Sequence, residues 1–143
     1  MTDSIYREII LDHSKHPRNF GELDPADLTA EDTNPLCGDQ IRMDLRVEDG
    51  VVADVKFSGR GCAVSLASAS ILTELVMGKP LAEVRALTKD DVLEEIGIPV
   101  SPARMKCALL GFNVLHLSLA IGDAHPGHAH PGHAHAEPAE VVR

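Results

Sequence analysis

Hydrophobic and polar positions alternate most cleanly over residues 40–57. Ile41, Met43, Leu45 and Val47 are interleaved with Gln40, Arg42, Asp44 and Arg46, and Val51, Ala53, Val55 and Phe57 resume the same rhythm after Asp49-Gly50. Successive strand side chains point to opposite faces, and Asp-Gly is a favoured two-residue hairpin turn, so the pattern predicts a β-hairpin with one buried face. Elsewhere the period is helical. Ile5, Ile9 and Ile10 predict a first helix from Asp3 to about Lys15, stopped by Pro17 and Gly21. The small-residue run "AVSLASASILTELVMG" predicts a second helix ending with Gly78 at C′. "KDDVLEEIG" predicts a short one, with Thr88 as N-cap and Asp91 completing a capping box. The last begins with Ser101 as N-cap and Pro102 in the first turn, and runs to about Gly122.

Two stretches lack a period. "ELDPADLTAEDTNP" is acidic, holds two prolines and reads as a surface loop leading to Cys37. "AHPGHAHPGHAHAEPAEVVR" gathers five of the eight histidines and repeats His-Pro-Gly-His-Ala. Such a composition cannot build a packed core. The expected organisation is therefore one folded domain, residues 1–122, followed by a His-rich disordered tail, residues 123–143, with loose affinity for divalent metal.

Composition narrows the function classes. The chain has 143 residues and 44% hydrophobic content, enough for one self-sufficient core. A net charge of −9 opposes a nucleic-acid partner, because phosphate binding needs a basic face. Its longest apolar runs are interrupted short of a membrane span, and the N-terminus lacks the basic and apolar regions of a signal peptide. The expectation is a cytoplasmic protein that binds neither nucleic acid nor membrane. Three cysteines without an export signal argue for reduced thiols rather than a disulfide framework.

Those thiols carry the candidate chemistry. In "NPLCGDQI", strand parity places Cys37 and Asp39 on the same face as Ile41, Met43 and Leu45, the buried one. A buried carboxylate needs a cation, hydrogen-bond donors or a proton. Cys62 follows Gly59-Arg60-Gly61 at a helix N-terminus, and Cys107 lies in the opening turns of the last helix beside Lys106 and Arg104. Helix N-termini and nearby cations both favour the thiolate, which is the metal ligand and the nucleophile. Core packing explains the same residues: Cys107 shares a stripe with Leu110, Val114 and Leu117, and Cys62 lies beside Leu66 and Ala69. Separations of 25 and 45 residues fit neither a zinc finger nor a Cys-x-x-Cys redox pair, so any site is assembled in three dimensions. His13 and His16 end the first helix, where the helix dipole accounts for them.

Four segments, "YREIILDHSKHPRNFG", "NPLCGDQI", "FSGRGCAVSLASASILTELVMGK" and "PARMKCALLGFNVLHLSL", together resemble the IscU/NifU N-terminal family of iron-sulfur cluster assembly proteins, most closely its SufU branch. The resemblance runs from about Ile5 to Ala120. It implies an α+β fold, a small antiparallel β-sheet packed against helices. It also implies a site of three cysteines and an aspartate, here Cys37, Asp39, Cys62 and Cys107. In SufU-type proteins these positions hold zinc, and the protein accepts persulfide sulfur from a SufS-type cysteine desulfurase. The first cysteine, Cys37, is then the one released from the metal, a histidine of the desulfurase taking its place. In IscU-type scaffolds the same positions hold a nascent [2Fe-2S] cluster for downstream acceptor proteins, with Asp39 keeping it labile. Lys106 before Cys107, and "IPVSPARMK" in place of a Leu-Pro-Pro-Val-Lys stretch, resemble the SufU pattern. The 45-residue separation of Cys62 and Cys107 leaves little room for the insertion that SufU proteins carry there.

Overall fold

The computed structural model describes residues 2–35, 38–97 and 99–124. Its elements, in chain order, are α1 (Thr2–Lys15), β1 (Leu28–Asn34), β2 (Asp39–Glu48), β3 (Val51–Arg60), α2 (Ala63–Val76), α3 (Leu81–Ala86), α4 (Lys89–Ile96) and α5 (Pro102–Ala124). The strands form one antiparallel sheet in the order β1-β2-β3, with helices packed against it. The α+β expectation is met.

The hairpin forms where the alternation predicts it. Met43 pairs with Phe57 and Leu45 with Val55, and all four side chains are fully buried together with Ile41. A bulge between Arg46 and Val47 shifts the register near the turn, and the predicted stripe breaks there: Val47 and Val51 are only half-buried, Ala53 is exposed, and Val52 is buried instead. The opposite face is also partly covered. Asp44 is buried there, accepting from the Leu23 N–H at 3.0 Å, Thr29 Oγ1 at 2.6 Å and Arg42 Nε at 2.9 Å.

Two elements depart from the sequence reading. Residues 28–34, read as loop, are strand β1, whose Leu28 pairs with Leu45 and Asn34 with Asp39. The strand is an edge with only Ala30 and Asn34 buried, so most of its positions are polar and its alternation is weak. Both prolines of the acidic stretch lie outside the strand, where the missing N–H costs no ladder bond. The short helix α3 also carries no clear periodic signal.

In α1, Ile10 and His13 are buried, whereas Ile5 and Ile9 are exposed, so the packed face lies beside the predicted isoleucine stripe. The buried ring of His13 sits 2.7 Å (Nδ1) from Ser70 Oγ of α2, which also accepts the Arg18 N–H at 2.8 Å. His13 is thus held by a specific partner across a helix interface, beyond any dipole effect.

The small residues of α2 let its neighbours approach: Ala67, Ser68, Ala69 and Ser70 are all buried. A Cβ on Gly111 of α5 would lie 3.3 Å from Ala69 Cα, so the two helices meet nearly backbone to backbone. Gly78 follows α2 with φ +80°, as expected at C′. At α4 both halves of the capping box form, the Asp91 N–H donating to Thr88 Oγ1 at 3.2 Å and the Thr88 N–H to Asp91 Oδ2 at 2.9 Å.

Helix α5 departs from the expectation that no apolar stretch reaches membrane length. Residues 102–122 are long and apolar enough to span one, but 61% of its most apolar 18-residue segment is buried inside the protein, as befits a core helix. Helix α5 reaches Ala124; the tail's remaining residues, 125–143, lie outside the described residues.

Candidate metal centre

Three elements converge on one point. Asp39 opens β2, Cys62 is the N-cap residue of α2, and Cys107 lies in the second turn of α5. One ligand atom from each, a carboxylate oxygen and two sulfurs, lie within 4.8 Å of one another. That spacing suits a common metal ion. Cys37, expected as the fourth member, lies outside the described residues, in the connection between β1 and β2.

Asp39 is 1% exposed, on the buried face that strand parity assigned to it. Its Oδ1 accepts the Cys62 backbone N–H at 3.0 Å, so the carboxylate caps the α2 N-terminus from another strand. Its Oδ2 is buried and has no hydrogen-bond partner among the described residues. A buried carboxylate oxygen left so is costly unless a cation takes it up.

Cys62 has extended backbone angles, φ −74° and ψ 170°, and is half-buried. The Ser65 hydroxyl donates to the Cys62 carbonyl at 3.0 Å, and the thiol lies 3.9 Å from that hydroxyl oxygen. Burial is the largest influence on this thiol and opposes ionisation. The Ser65 N–H and hydroxyl, the Cys107 thiol and the Val64 N–H outweigh it together, and the Cys62 pKa falls below its ordinary value. Cys107 is fully buried, and Asn34 Nδ2 lies 4.0 Å from its sulfur.

The glycines of "SGRGC" make room for this arrangement. A Cβ on Gly61 would lie 2.3 Å from Ser65 Oγ and 2.6 Å from Asp39 Oδ1. Gly59 has φ +136°, and a Cβ there would meet the Gln40 carbonyl oxygen at 1.9 Å. The sequence reading named Asp39, Cys62 and Cys107 but missed Asn34 and Gly61, whose parts depend on cross-strand neighbours. Exposed Arg60, Arg104 and Lys106 are chain neighbours of the two cysteines on an otherwise acidic protein.

The donor set fits a metal. Two sulfurs and a carboxylate oxygen are the ligand types of zinc and of iron-sulfur sites, and the unsatisfied Oδ2 is what a cation would complete. The class of protein follows: an α+β domain with a largely buried Asp/Cys/Cys metal site formed between a strand start, a helix N-cap and the second turn of another helix.

The chain belongs to the family of the NifU-like N-terminal domain, which matches residues 5–124. It is 36% identical over 135 residues to the zinc-dependent sulfurtransferase SufU of Bacillus subtilis, covering 82% of this chain and 91% of that protein. It is 39% identical over 116 residues to the iron-sulfur cluster assembly scaffold protein IscU of Aquifex aeolicus, covering 80% of this chain and 73% of that one. The crystal structure of FiSufU from Fervidobacterium islandicum superposes with a TM-score of 0.69 at 27% identity, covering 83% of this chain and 99% of that one. The protein is thereby placed among iron-sulfur cluster assembly proteins of the SufU/IscU kind.

Proposed function

We propose that the protein is a zinc-dependent sulfur acceptor that takes persulfide sulfur from a SufS-type cysteine desulfurase and passes it to downstream iron-sulfur assembly or acceptor proteins. The observation that carries this reading is Asp39 Oδ2, buried beside two sulfurs and without a hydrogen-bond partner among the described residues, which a divalent ion would complete. The similarity to the Bacillus subtilis sulfurtransferase supports zinc as that ion.

Asp39, Cys62 and Cys107 would hold the zinc, with Cys37 as fourth ligand. Bound zinc keeps its cysteine ligands deprotonated near neutral pH. The fixed members sit on regular secondary structure, Asp39 on β2 and Cys107 on α5, whereas Cys37 falls in the short connection after Pro35. Cys37 is therefore the sulfur that exchanges. Its thiolate attacks the terminal sulfur of the donor's persulfide; the donor's S–S bond breaks, its cysteine leaves as a thiolate, and the persulfide now resides on Cys37. No net oxidation occurs.

The test is turnover of a cognate desulfurase on free cysteine, with and without the full chain. Stimulation by the wild type that is lost in Cys37→Ala is the expected result. No stimulation by a zinc-loaded wild type refutes the proposal.

A second reading has its own support in the IscU scaffold relative at 39% identity. There the same four residues would hold a [2Fe-2S] cluster, with the single carboxylate making it easier to release. Iron and sulfide in protein isolated anaerobically, and a longer-lived cluster in Asp39→Ala, would favour that reading; about one zinc per chain in colourless protein favours the first.

A further inference from the structure

Asn34 ends β1 and pairs directly with Asp39 across the strands, which puts both side chains on the buried face. It is 7% exposed, and its Nδ2 approaches Cys107 Sγ at 4.0 Å. Its backbone carbonyl accepts the Gly38 N–H at 2.8 Å and so closes the connection in which Cys37 falls. One residue thus meets the site on two sides.

Burying a carboxamide costs desolvation that only hydrogen bonds return, so space-filling alone would favour an apolar residue here. An amide N–H aimed at a metal-bound sulfur withdraws charge from it and fixes its position, as outer hydrogen bonds do at metal sites generally. We infer that Asn34 is a positioning residue for this centre. Its Nδ2–H donates to the Cys107 sulfur and keeps it the permanently held ligand, which leaves exchange to the rest of the ligand set. The asymmetry in burial agrees with this, since Cys107 is fully buried and Cys62 only half so. The inference rests on the metal-site reading and deepens it.

Cobalt(II) tests it, because sulfur-to-cobalt charge transfer reports directly on the thiolates. The full chain is compared as wild type, Asn34→Leu (same branching, no donor), Asn34→Ala and Asn34→Gln (amide retained). In the Leu and Ala variants the charge-transfer band should move to lower energy. Cobalt affinity by chelator competition should fall about ten-fold, and iodoacetamide labelling of Cys107, read by peptide mass spectrometry, should become several-fold faster. Asn34→Gln should recover part of each effect. An unchanged band and unchanged Cys107 labelling in a folded Leu or Ala variant overturn the inference.

If neither variant folds, the wild type decides by NMR of its cadmium-loaded form. Asn34 side-chain amide protons that exchange with solvent more slowly than in the metal-free protein support the bond, and equal rates overturn it. A wild type that binds no cobalt overturns the metal-site reading and the inference together, whereas normal binding with unaltered variants overturns the inference alone.

Discussion

The backbone N–H of Cys62 donates to Asp39 Oδ1 at 3.0 Å, tying the N-terminus of α2 to the first residue of β2. The bond uses one carboxylate oxygen and leaves the other, buried and without a hydrogen-bond partner among the described residues, for a cation.

Charge and hydrogen bonding at Asp39 can therefore be separated. Asp39→Asn keeps an acceptor for the Cys62 N–H but removes the charge, and Asp39→Ala removes both. Loss of an outer partner typically weakens metal binding about 10–100-fold, and loss of a ligand at least as much. Both variants should bind zinc at least that much more weakly by competition with a chromophoric chelator. Only the Ala variant should also lose about 1 kcal/mol in metal-free urea unfolding. Equal zinc affinity in all three proteins would remove Asp39 from the ligand set.

Gly61→Ala tests how tightly the site is packed. The added methyl would intrude on Asp39 Oδ1 and Ser65 Oγ, and the backbone of Gly61, unlike that of Gly59, needs no left-handed conformation. Any effect thus reports the contact. Overpacking of this kind costs about 1–3 kcal/mol, and zinc content after purification should fall. A variant with normal stability and full zinc would show that the site tolerates a Cβ there.

Zinc removal should lower the thermal midpoint, because a metal that binds only the folded chain adds its binding free energy to stability. Differential scanning calorimetry with and without excess chelator checks this. The drop should vanish in a Cys62→Ser/Cys107→Ser double variant, whose midpoint should not respond to zinc.

His13 predicts a pH dependence remote from the site. Burial first, and then the Arg18 cation, hold its pKa below the ordinary 6.5, although Glu74 and Asp12 pull the other way. The unfolded chain takes up the proton near 6.5 and the folded chain only at lower pH. Between those values the unfolded state binds more protons, so stability is complete above 6.5 and is lost as pH falls below it. His116, depressed by burial against a smaller opposing bond to Leu87, adds in the same direction. In metal-free protein the thermal midpoint should decline from pH 7.5 to 5.5, and His13→Gln should flatten part of that decline. An identical slope in the variant would assign the effect elsewhere.

Thr88→Ala serves as a control. It breaks the capping box of α4 and should cost about 1 kcal/mol without altering zinc affinity. A loss of zinc affinity would mean that α4 is coupled to the centre.

The sequence by itself determined those features whose physical cause is local. The alternation from Ile41 to Phe57 gave the hairpin because a strand's two faces differ in burial. Thr88 and Asp91 gave a helix start because their capping bonds span only three residues. The same two-residue parity put Asp39 inside. Strand β1 escaped because an edge strand with few buried side chains carries little of that alternation. Spacing alone left Cys62 and Cys107 equally open to core packing, and the family resemblance was needed to join them.

Only the tertiary structure decided that Asp39, Cys62 and Cys107 bring their ligand atoms within 4.8 Å, that Asn34 reaches Cys107, and that Gly61 admits Asp39. Each relationship links residues 22 to 73 positions apart in the sequence. They arise when β1, β2, α2 and α5 pack on a common core, and no local preference of the chain encodes such distances.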